Sequence, residues 1–231
     1  MLYSALINVM VKAARRAGRS LNRDLGEIEN LQVSLKGPAN FVTLADKRAE
    51  EMLYTDLAKA RPGYGFLGEE GGTREGADKS HTWIVDPLDG TTNFLHGIPQ
   101  FAISIGLARE GTVIAGVIYN PANDDLYIAE RGKGAFLNDQ RLRVAGRRKL
   151  NECVIACGLP HIGRGDYELA QNELGAAVEQ GRRLPLPPPS TSHSSSPTAS
   201  TAIGNTICRP GTSWCRKLAG CYPAWRAATT H

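Results

Sequence analysis

Residues 83–94, W-I-V-D-P-L-D-G-T-T-N-F, join an apolar run to two closely spaced carboxylates. The apolar start predicts a buried strand that ends at Asp86, because the following Pro87 has no N–H for a continuing ladder. The turn then presents Asp89, and Gly90 begins a predicted helix start whose free backbone N–H groups can hold a phosphate. Two carboxylates beside an anion site indicate a divalent cation such as Mg²⁺, which prefers oxygen ligands.

A purely structural explanation of the same residues stays open at this point. Asp86 would serve equally as a strand-end turn residue and Asp89 as a helix N-cap, since Asp favours both places. Two other segments favour the functional explanation. Residues 68–72 place two acids on a glycine-rich loop, and residues 40–46 end in a further acid beside a predicted helix. The corresponding structural explanations are a solvated surface loop for residues 68–72 and ordinary helix N-capping for residues 40–46.

The charge of the chain is concentrated in its tail. The 231 residues, 42% of them hydrophobic, suffice for one large domain or two small ones, and the formal charge is +4. No acidic residue follows Leu184, whereas four basic residues do: Arg209, Arg216, Lys217 and Arg226. The remainder of the chain is therefore neutral, and the sparse basic tail gives little reason to expect a nucleic-acid partner.

The sequence predicts a cytoplasmic protein without a membrane partner. No apolar run approaches the ~18–20 residues of a bilayer span. The first apolar stretch, residues 2–11, has its basic residues after it rather than before it, which is the wrong order for a signal peptide. The five cysteines form no CxxC pair and show no His spacing typical of zinc sites.

Hydrophobic periodicity divides the first part of the chain into helices and strands. Helices are predicted from Leu2 to Gly18 and from about Thr43 or Leu44 to Lys59. The predicted strands are residues 65–68, 82–85, 101–108, 112–119, 126–129 and 134–137, with turns at 120–123 and 138–140. The pattern therefore predicts an α+β fold with two N-terminal helices packed on a mainly antiparallel sheet.

The character of the sequence changes after Gly181. Residues 184–200 read L-P-L-P-P-P-S-T-S-H-S-S-S-P-T-A-S, and no sustained periodicity follows them. Such a segment buries too little apolar surface to offset its ordering entropy, so we expect disorder over residues 184–231.

Together these segments resemble the inositol monophosphatase family of Mg²⁺-dependent, lithium-sensitive sugar-phosphate phosphatases. Residues 83–94 match the family's first signature, W-I-[IV]-D-P-[IL]-D-G-T-T-N-F, throughout. G-E-E at 68–70, V-T-x-x-D at 42–46 and G-K-G-A-F at 132–136 also match. The resemblance runs from the first helix to about Arg183.

The resemblance implies a layered αβαβα sugar-phosphatase fold. Residues 1–150 would form an N-terminal metal- and phosphate-binding α+β domain, and residues 151–183 would begin a C-terminal α/β half that remains incomplete. Residues 184–231 would be an aberrant tail.

The resemblance also implies the site. It predicts two or three Mg²⁺ ions and inhibition by Li⁺. The implied metal ligands are Glu69, Asp86, Asp89 and the backbone carbonyl of Leu88. The implied catalytic residues are Asp46 and Thr91, which position and activate the attacking water, together with Glu69. The implied substrate-binding residues are Gly90, Thr91 and Lys36. The family usually has Asp where this chain has Asn40, which removes one negative charge near the site.

The family's second signature, P-W-D-x-A followed by E-A-G-G, is absent from residues 184–231. If residues 184–214 are back-translated and read in a shifted frame, suitable codons give a string that ends in S-P-W-D-I-V and is similar to the family's continuation. We therefore hypothesise that the tail is a frameshift product. The second signature supplies a ligand Asp and much of the substrate pocket, so we expect weak or absent phosphatase activity for the chain as written.

By this resemblance the protein is a phosphomonoesterase that hydrolyses inositol 1-phosphate. Other sugar or polyol phosphates, such as fructose bisphosphate and histidinol phosphate, remain open as substrates. A different class, a non-catalytic RNA-binding or transcription-associated protein, also remains open, because some bacterial relatives take part in transcription antitermination. The family's dimers leave a homodimer as an open expectation.

Overall fold

A computed structural model describes residues 3–31 and 38–143, without the side chains of residues 29–31 and 38–41. The elements are α1 Ala5–Leu31, α2 Pro38–Ala60, β1 Tyr64–Gly68, β2 Thr73–Arg74, β3 Asp78–Asp89, α3 Thr91–Leu95, β4 Ala102–Arg109, β5 Thr112–Asn120, β6 Asp125–Glu130, β7 Gly134–Leu137 and β8 Gln140–Leu142. The predicted site residue Lys36, the five cysteines and the expected boundaries at 150 and 183 lie outside the described residues.

The described strands form one sheet in the order β2-β1-β3-β4-β5-β6-β7-β8. β1 and β3 run parallel, whereas the other neighbouring pairs are antiparallel. From β3 onwards each strand pairs with the next strand in the sequence, as in a meander. The prediction of a mainly antiparallel sheet is therefore confirmed, with one parallel pair added.

The two long helices cover this sheet. α1 and α2 pack against each other, α1 also contacts β4 and β5, and α2 contacts β1 and β3. The largest fully buried side chains include Ile7, Met10, Leu21, Leu53, Leu57, Phe66, Trp83 and Ile103. Each such side chain stabilises the fold by about 1.5–3 kcal/mol relative to exposure. The core between helices and sheet thus holds both the helices and the ends of β1 and β3 in place.

The first helix is longer than the sequence predicted. It continues past Gly18 to Leu31, because Leu21 and Ile28 extend its buried stripe. Gly18 lies where the helix approaches the sheet, and a Cβ built there would lie 2.7 Å from Cε1 of Tyr119. This glycine therefore permits close packing and does not end the helix.

The second helix begins earlier than predicted, at Pro38 rather than near Thr43. Proline is favoured at the first helical position, since its missing N–H has no intrahelical partner there in any case. β2 and β8 have only two and three residues, and the sequence predicted neither of them. Strands this short carry too little alternation to be recognised.

The sequence predicted that the strand carrying residues 83–86 ends at Asp86, and this prediction is wrong. β3 continues through Pro87 to Asp89, and its pairing with β4 shifts register between Asp86 and Asp89. Proline is tolerated within sheets at such irregularities, where a ladder hydrogen bond is already missing. The bulge redirects the chain without ending the strand.

Candidate active site

Two predicted site acids become neighbours because β1 and β3 are parallel. The last pair in their register joins Gly68 to Val85. Glu69 and Asp86 directly follow this last pair, so both lie just beyond the end of the parallel pairing, at the same edge. Glu69 is exposed on the loop after β1, whereas Asp86 is only 1% exposed. This edge therefore carries one accessible and one buried carboxylate.

The turn after Asp86 is organised by its own side chain. The backbone N–H of Leu88 donates a hydrogen bond of 3.0 Å to Oδ1 of Asp86. The backbone carbonyl of Leu88 in turn accepts a hydrogen bond of 3.0 Å from the hydroxyl of Thr91. Asp86, Leu88 and Thr91 are thereby held in one compact turn.

The short helix α3 begins immediately after these acids. Gly90 is its N-cap residue, with a φ of 93° and no side-chain hydrogen bond capping the helix. A Cβ at Gly90 would lie 2.8 Å from the carbonyl oxygen of Gln100, and the positive φ also disfavours any other residue there. The predicted helix start at Gly90 is confirmed, and the first N–H groups of a helix have no intrahelical acceptor.

The helix α2 supplies two further acids. Asp46 and Glu50 lie four residues apart, so they share one face of the helix. They are only 5% and 3% exposed. Because α2 packs on β1 and β3 and also contacts α3, this face lies against the edge that carries Asp86.

The acids raise one another's pKa. Burial and nearby acids, chiefly Glu70, raise the pKa of Asp46 to about 8. Burial and the charge of Asp89 raise the pKa of Asp86 well above its usual value. Burial and the charge of Glu69 raise the pKa of Asp89 to about 6. The fold therefore holds several carboxylates together against their mutual repulsion.

The donor chemistry of this site fits a hard divalent cation. Among residues 3–31 and 38–143, no three Asp, Glu, His or Cys side chains already form a group able to hold an ion. Two buried carboxylate oxygens, Oδ1 of Asp46 and Oδ2 of Asp86, have no hydrogen-bond partner in the described part of the chain. An unpaired buried acceptor costs free energy, and Mg²⁺ takes oxygen ligands of this type.

The structure brings together all predicted site residues that it describes. Asp86, Leu88, Asp89, Gly90 and Thr91 lie on one bulged turn and the helix start after it. Glu69 follows the adjacent strand, and Asp46 lies close enough to Glu69 for the two charges to interact. The roles assigned to these residues stay predictions. The side chain of Asn40 is not among those described.

The sequence reasoning missed Glu50. Its carboxylate accepts hydrogen bonds from the backbone N–H groups of Glu70 and Gly71, both at 2.8 Å. An acid four residues after Asp46, within the apolar stripe formed by Ala49 and Leu53, was the available signal, because a charge is rarely buried without a partner.

A second cluster of polar residues, at the start of β3, lacks hydrolase geometry. Ser80 Oγ lies 2.8 Å from Nδ1 of His81, and Oδ2 of Asp78 lies 2.9 Å from the same nitrogen. A catalytic triad requires the Ser and the Asp to contact opposite ring nitrogens. This cluster therefore orders the strand start.

A solved structure of a similar chain shares this architecture. The extragenic suppressor protein SuhB from Bartonella henselae matches with a TM-score of 0.69 and 57% identity, over 76% of this chain and 67% of that chain. Helices packed on a mixed sheet define the α+β class of the described residues, and this arrangement is consistent with the layered αβαβα sugar-phosphatase fold. The predicted fold class is confirmed.

The sequence comparisons specify the family. The profile described as "Inositol monophosphatase family" matches residues 2–185. The inositol-1-monophosphatase of Mesorhizobium japonicum is 66% identical over 167 residues, which are 72% of this chain and 63% of that protein. The chain therefore belongs to the inositol monophosphatase family.

Relatives under another name match as well. The "Putative Nus factor SuhB" of Neisseria meningitidis serogroup B is 44% identical over 180 residues, which are 77% of this chain and 69% of that protein. The chain spans 63% of the length of the inositol-1-monophosphatases that it matches at 66% and 62% identity. No helix in the described part of the chain combines the length and hydropathy needed to cross a bilayer.

Proposed function

We propose that the protein is a Mg²⁺-dependent phosphomonoesterase that hydrolyses inositol 1-phosphate to inositol and phosphate. The observation that carries this proposal is the group of acids around Asp86, in which two buried carboxylate oxygens have no described hydrogen-bond partner beside the start of α3. The 66% identity to an inositol-1-monophosphatase supports it.

The acids of the strand edge are the proposed metal ligands. Glu69, Asp86, Asp89 and the carbonyl of Leu88 would hold the Mg²⁺ ions, of which we expect two or three, with inhibition by Li⁺. Bound Mg²⁺ supplies positive charge for the phosphate and lowers the pKa of water. Asp86, Leu88 and Asp89 all lie on the bulged segment around Pro87, where the pairing of β3 with β4 shifts register.

Thr91 and Asp46 are the proposed water-positioning residues, and Glu69 acts with them. The hydroxyl of Thr91 donates its proton to the carbonyl of Leu88, so its oxygen lone pairs remain available to accept a hydrogen bond from water. When ionised, Asp46 can accept the proton of that water. The new P–O bond forms to the water oxygen, the P–O bond to inositol breaks, and the inositol oxygen takes up a proton.

The start of α3 is the proposed phosphate site. The backbone N–H groups at Gly90 and Thr91 precede the first helical hydrogen bonds, and such N–H groups bind anions. Lys36, which lies outside the described residues, is the proposed basic neighbour of the phosphate.

The test measures phosphate released from inositol 1-phosphate with and without Mg²⁺. The chain as written is expected to release little phosphate, so the test is also run on a chain whose reading frame is restored after residue 183. For that chain we expect Mg²⁺-dependent release, and we expect Asp86→Asn to reduce it by more than about 100-fold, because a metal ligand is lost. Fructose bisphosphate and histidinol phosphate in the same assay determine the substrate. Equal release without Mg²⁺, or an unchanged rate in Asp86→Asn, would contradict the proposal.

A second candidate function follows from the Neisseria relative named as a putative Nus factor at 44% identity. The chain would then bind RNA or a transcription complex without catalysis. Salt-dependent RNA binding, measured with and without residues 184–231, separates the two functions. Binding that needs those residues and weakens steeply with salt would favour the RNA-binding candidate.

We also propose a cytoplasmic location and a small-molecule phosphate ester as the main partner. A homodimer is the assembly that we would test first, by light scattering over a range of protein concentrations.

A further inference from the structure

The loop that carries Glu69 and Glu70 receives little support from the sheet. It connects β1 to the two-residue strand β2 at the edge of the sheet. The pairing of these strands extends over Phe66 with Arg74 and Leu67 with Thr73. One further backbone hydrogen bond, from Gly68 N–H to Gly72 carbonyl at 2.9 Å, closes the loop.

The side chain of Glu50, on α2, binds the backbone of this loop. Oε2 of Glu50 accepts a hydrogen bond from Glu70 N–H, and Oε1 accepts one from Gly71 N–H, both at 2.8 Å. Both carboxylate oxygens are therefore engaged by backbone donors. Because Glu50 is only 3% exposed, these charge-assisted bonds form away from water, where such bonds are strong.

The glycines of the loop are explained by this contact. A Cβ at Gly68 would lie 2.4 Å from Oε2 of Glu50, and a Cβ at Gly71 would lie 2.7 Å from Oε1. Neither glycine has a positive φ, unlike Gly72 at +70°. At Gly68 and Gly71 the closeness of the carboxylate is therefore what excludes a side chain.

A charged group at this position is costly. The charge of Glu50 adds to that of the nearby acids and disfavours ionisation of Asp46. A neutral Gln of the same shape would avoid this repulsion, but its amide offers one acceptor oxygen and one NH₂ donor. It could therefore satisfy only one of the two backbone N–H groups and would place a donor against the other.

We propose that Glu50 is a positioning residue for the metal site: by holding the backbone of Glu70 and Gly71, it fixes Glu69 at the strand edge beside Asp86. This inference rests on the proposed function, in which Glu69 is a metal ligand. Residues that orient metal ligands typically change metal affinity by about 10–100-fold when they are replaced.

The test uses the full chain and two measurements that need no phosphatase activity. Mn²⁺ serves as the probe, and its affinity is measured by electron paramagnetic resonance. Hydrogen exchange of the metal-free chain is followed by mass spectrometry over the peptide that contains residues 68–72. The variant is Glu50→Gln, and the matched control is Glu51→Gln. In the unchanged chain the carboxylate of Glu51 contacts the side chain of Arg74 at the surface.

We expect Glu50→Gln to weaken Mn²⁺ binding by at least about tenfold and to accelerate exchange at residues 68–72, while β4 and β5 stay protected. Glu51→Gln should change neither. Faster loop exchange with unchanged Mn²⁺ affinity overturns the positioning role, and so does an equal loss of affinity in the control. If the unchanged chain binds no Mn²⁺, the proposed function fails, and the positioning role fails with it.

A further variant tests the same contact from the side of the loop and does not depend on replacing Glu50. Gly71→Ala leaves Glu50 intact but places a methyl group against its carboxylate, so it should weaken Mn²⁺ binding similarly. In the Glu50→Ala background that methyl group meets no carboxylate, and Gly71→Ala should then have little further effect. Additive losses in the double variant would show that the two residues act independently and would refute the inference.

Discussion

At the residue scale, the buried carboxylate of Asp86 is expected to destabilise the metal-free fold. It is 1% exposed, its pKa is raised by burial and by the charge of Asp89, and one of its oxygens lacks a described partner. An ionised group in that position destabilises the metal-free fold. Residues that serve a site are often maintained at such a cost.

We therefore expect Asp86→Asn to raise the melting temperature of the metal-free chain at pH 7, although it removes a proposed ligand. A gain of about 1 kcal/mol corresponds to about 2–4 °C for a chain of this size. Scanning fluorimetry in EDTA measures the shift.

Asp78→Asn is the matched control on the same strand. Hydrogen bonds, first from the side chain of Ser80, lower the pKa of Asp78 to about 2, so its ionised form stabilises the fold and its replacement should not raise the melting temperature. A decrease for Asp86→Asn would show that this carboxylate is stabilising even without metal.

The raised pKa values also predict a pH dependence. Asp46, with a pKa of about 8, and Asp89, with a pKa of about 6, bind more protons when folded than when unfolded, where Asp titrates near 3.9. Stability of the metal-free chain should therefore fall as the pH rises from about 4 to about 8. Urea unfolding at several pH values in EDTA measures this slope, and Asp46→Asn should reduce it. A stability that rises over this range would contradict the assignment.

At the element scale, the two glycines of α1, Gly18 and Gly26, differ in the space available for a side chain. Gly18 lies against Tyr119, whose hydroxyl donates to Asp124 at 2.9 Å, so the ring has little freedom to move. Gly26, on the same helix, has nothing within 4 Å of an added Cβ.

We expect Gly18→Ala to lower the free energy of unfolding by about 1–2 kcal/mol, since overpacking exceeds the gain in helix propensity. Gly26→Ala should raise it by about 0.5–1 kcal/mol. Chemical denaturation of both variants measures the difference in sign. A stabilising Gly18→Ala would show that the sheet yields to the added methyl group.

The elements also show what the sequence could predict. β7 was predicted with its observed bounds, and the helix start at Gly90 was predicted from its local motif. Pro87 on its own indicates the end of a strand. The sequence could not show that the strand continues, because the register shift that accommodates the proline depends on pairing with β4. Gly18 on its own indicates a helix end. Its packing role could not be predicted, because its contact with Tyr119 joins residues far apart in the sequence.

The same distinction applies to the candidate site, where local features are predictable from the sequence and long-range contacts are not. The turn from Asp86 to Thr91 was recognisable because its residues are consecutive. The neighbouring position of Glu69 depends on the parallel pairing of β1 with β3. Glu50 was missed because its partners are backbone N–H groups 20 and 21 residues away, and backbone donors leave no trace in side-chain identities.

At the scale of the whole molecule, the family match ends at residue 185, close to the change in composition after Gly181. We expect the chain as written to release little phosphate and a frame-restored chain to be substantially active, because only the latter would carry the second signature. The assay is Mg²⁺-dependent phosphate release by both chains. Equal rates would show that the second signature is dispensable.

Resequencing the DNA that encodes residues 181–184 tests the frameshift hypothesis directly. A gene that reads through this region in frame with the same tail would refute it.

The order of the strands has a consequence for how the molecule folds. Apart from the pairing of β3 with β1, the strands β3 to β8 pair only with sequence neighbours among the described strands, so each hairpin closes over a short stretch of chain and we expect this meander to form early. The β1–β3 pair must instead close around the intervening β2 segment and accept α2. The edge that gathers the acids is thus expected to assemble last, which makes a divalent cation a candidate trigger for the final folding step.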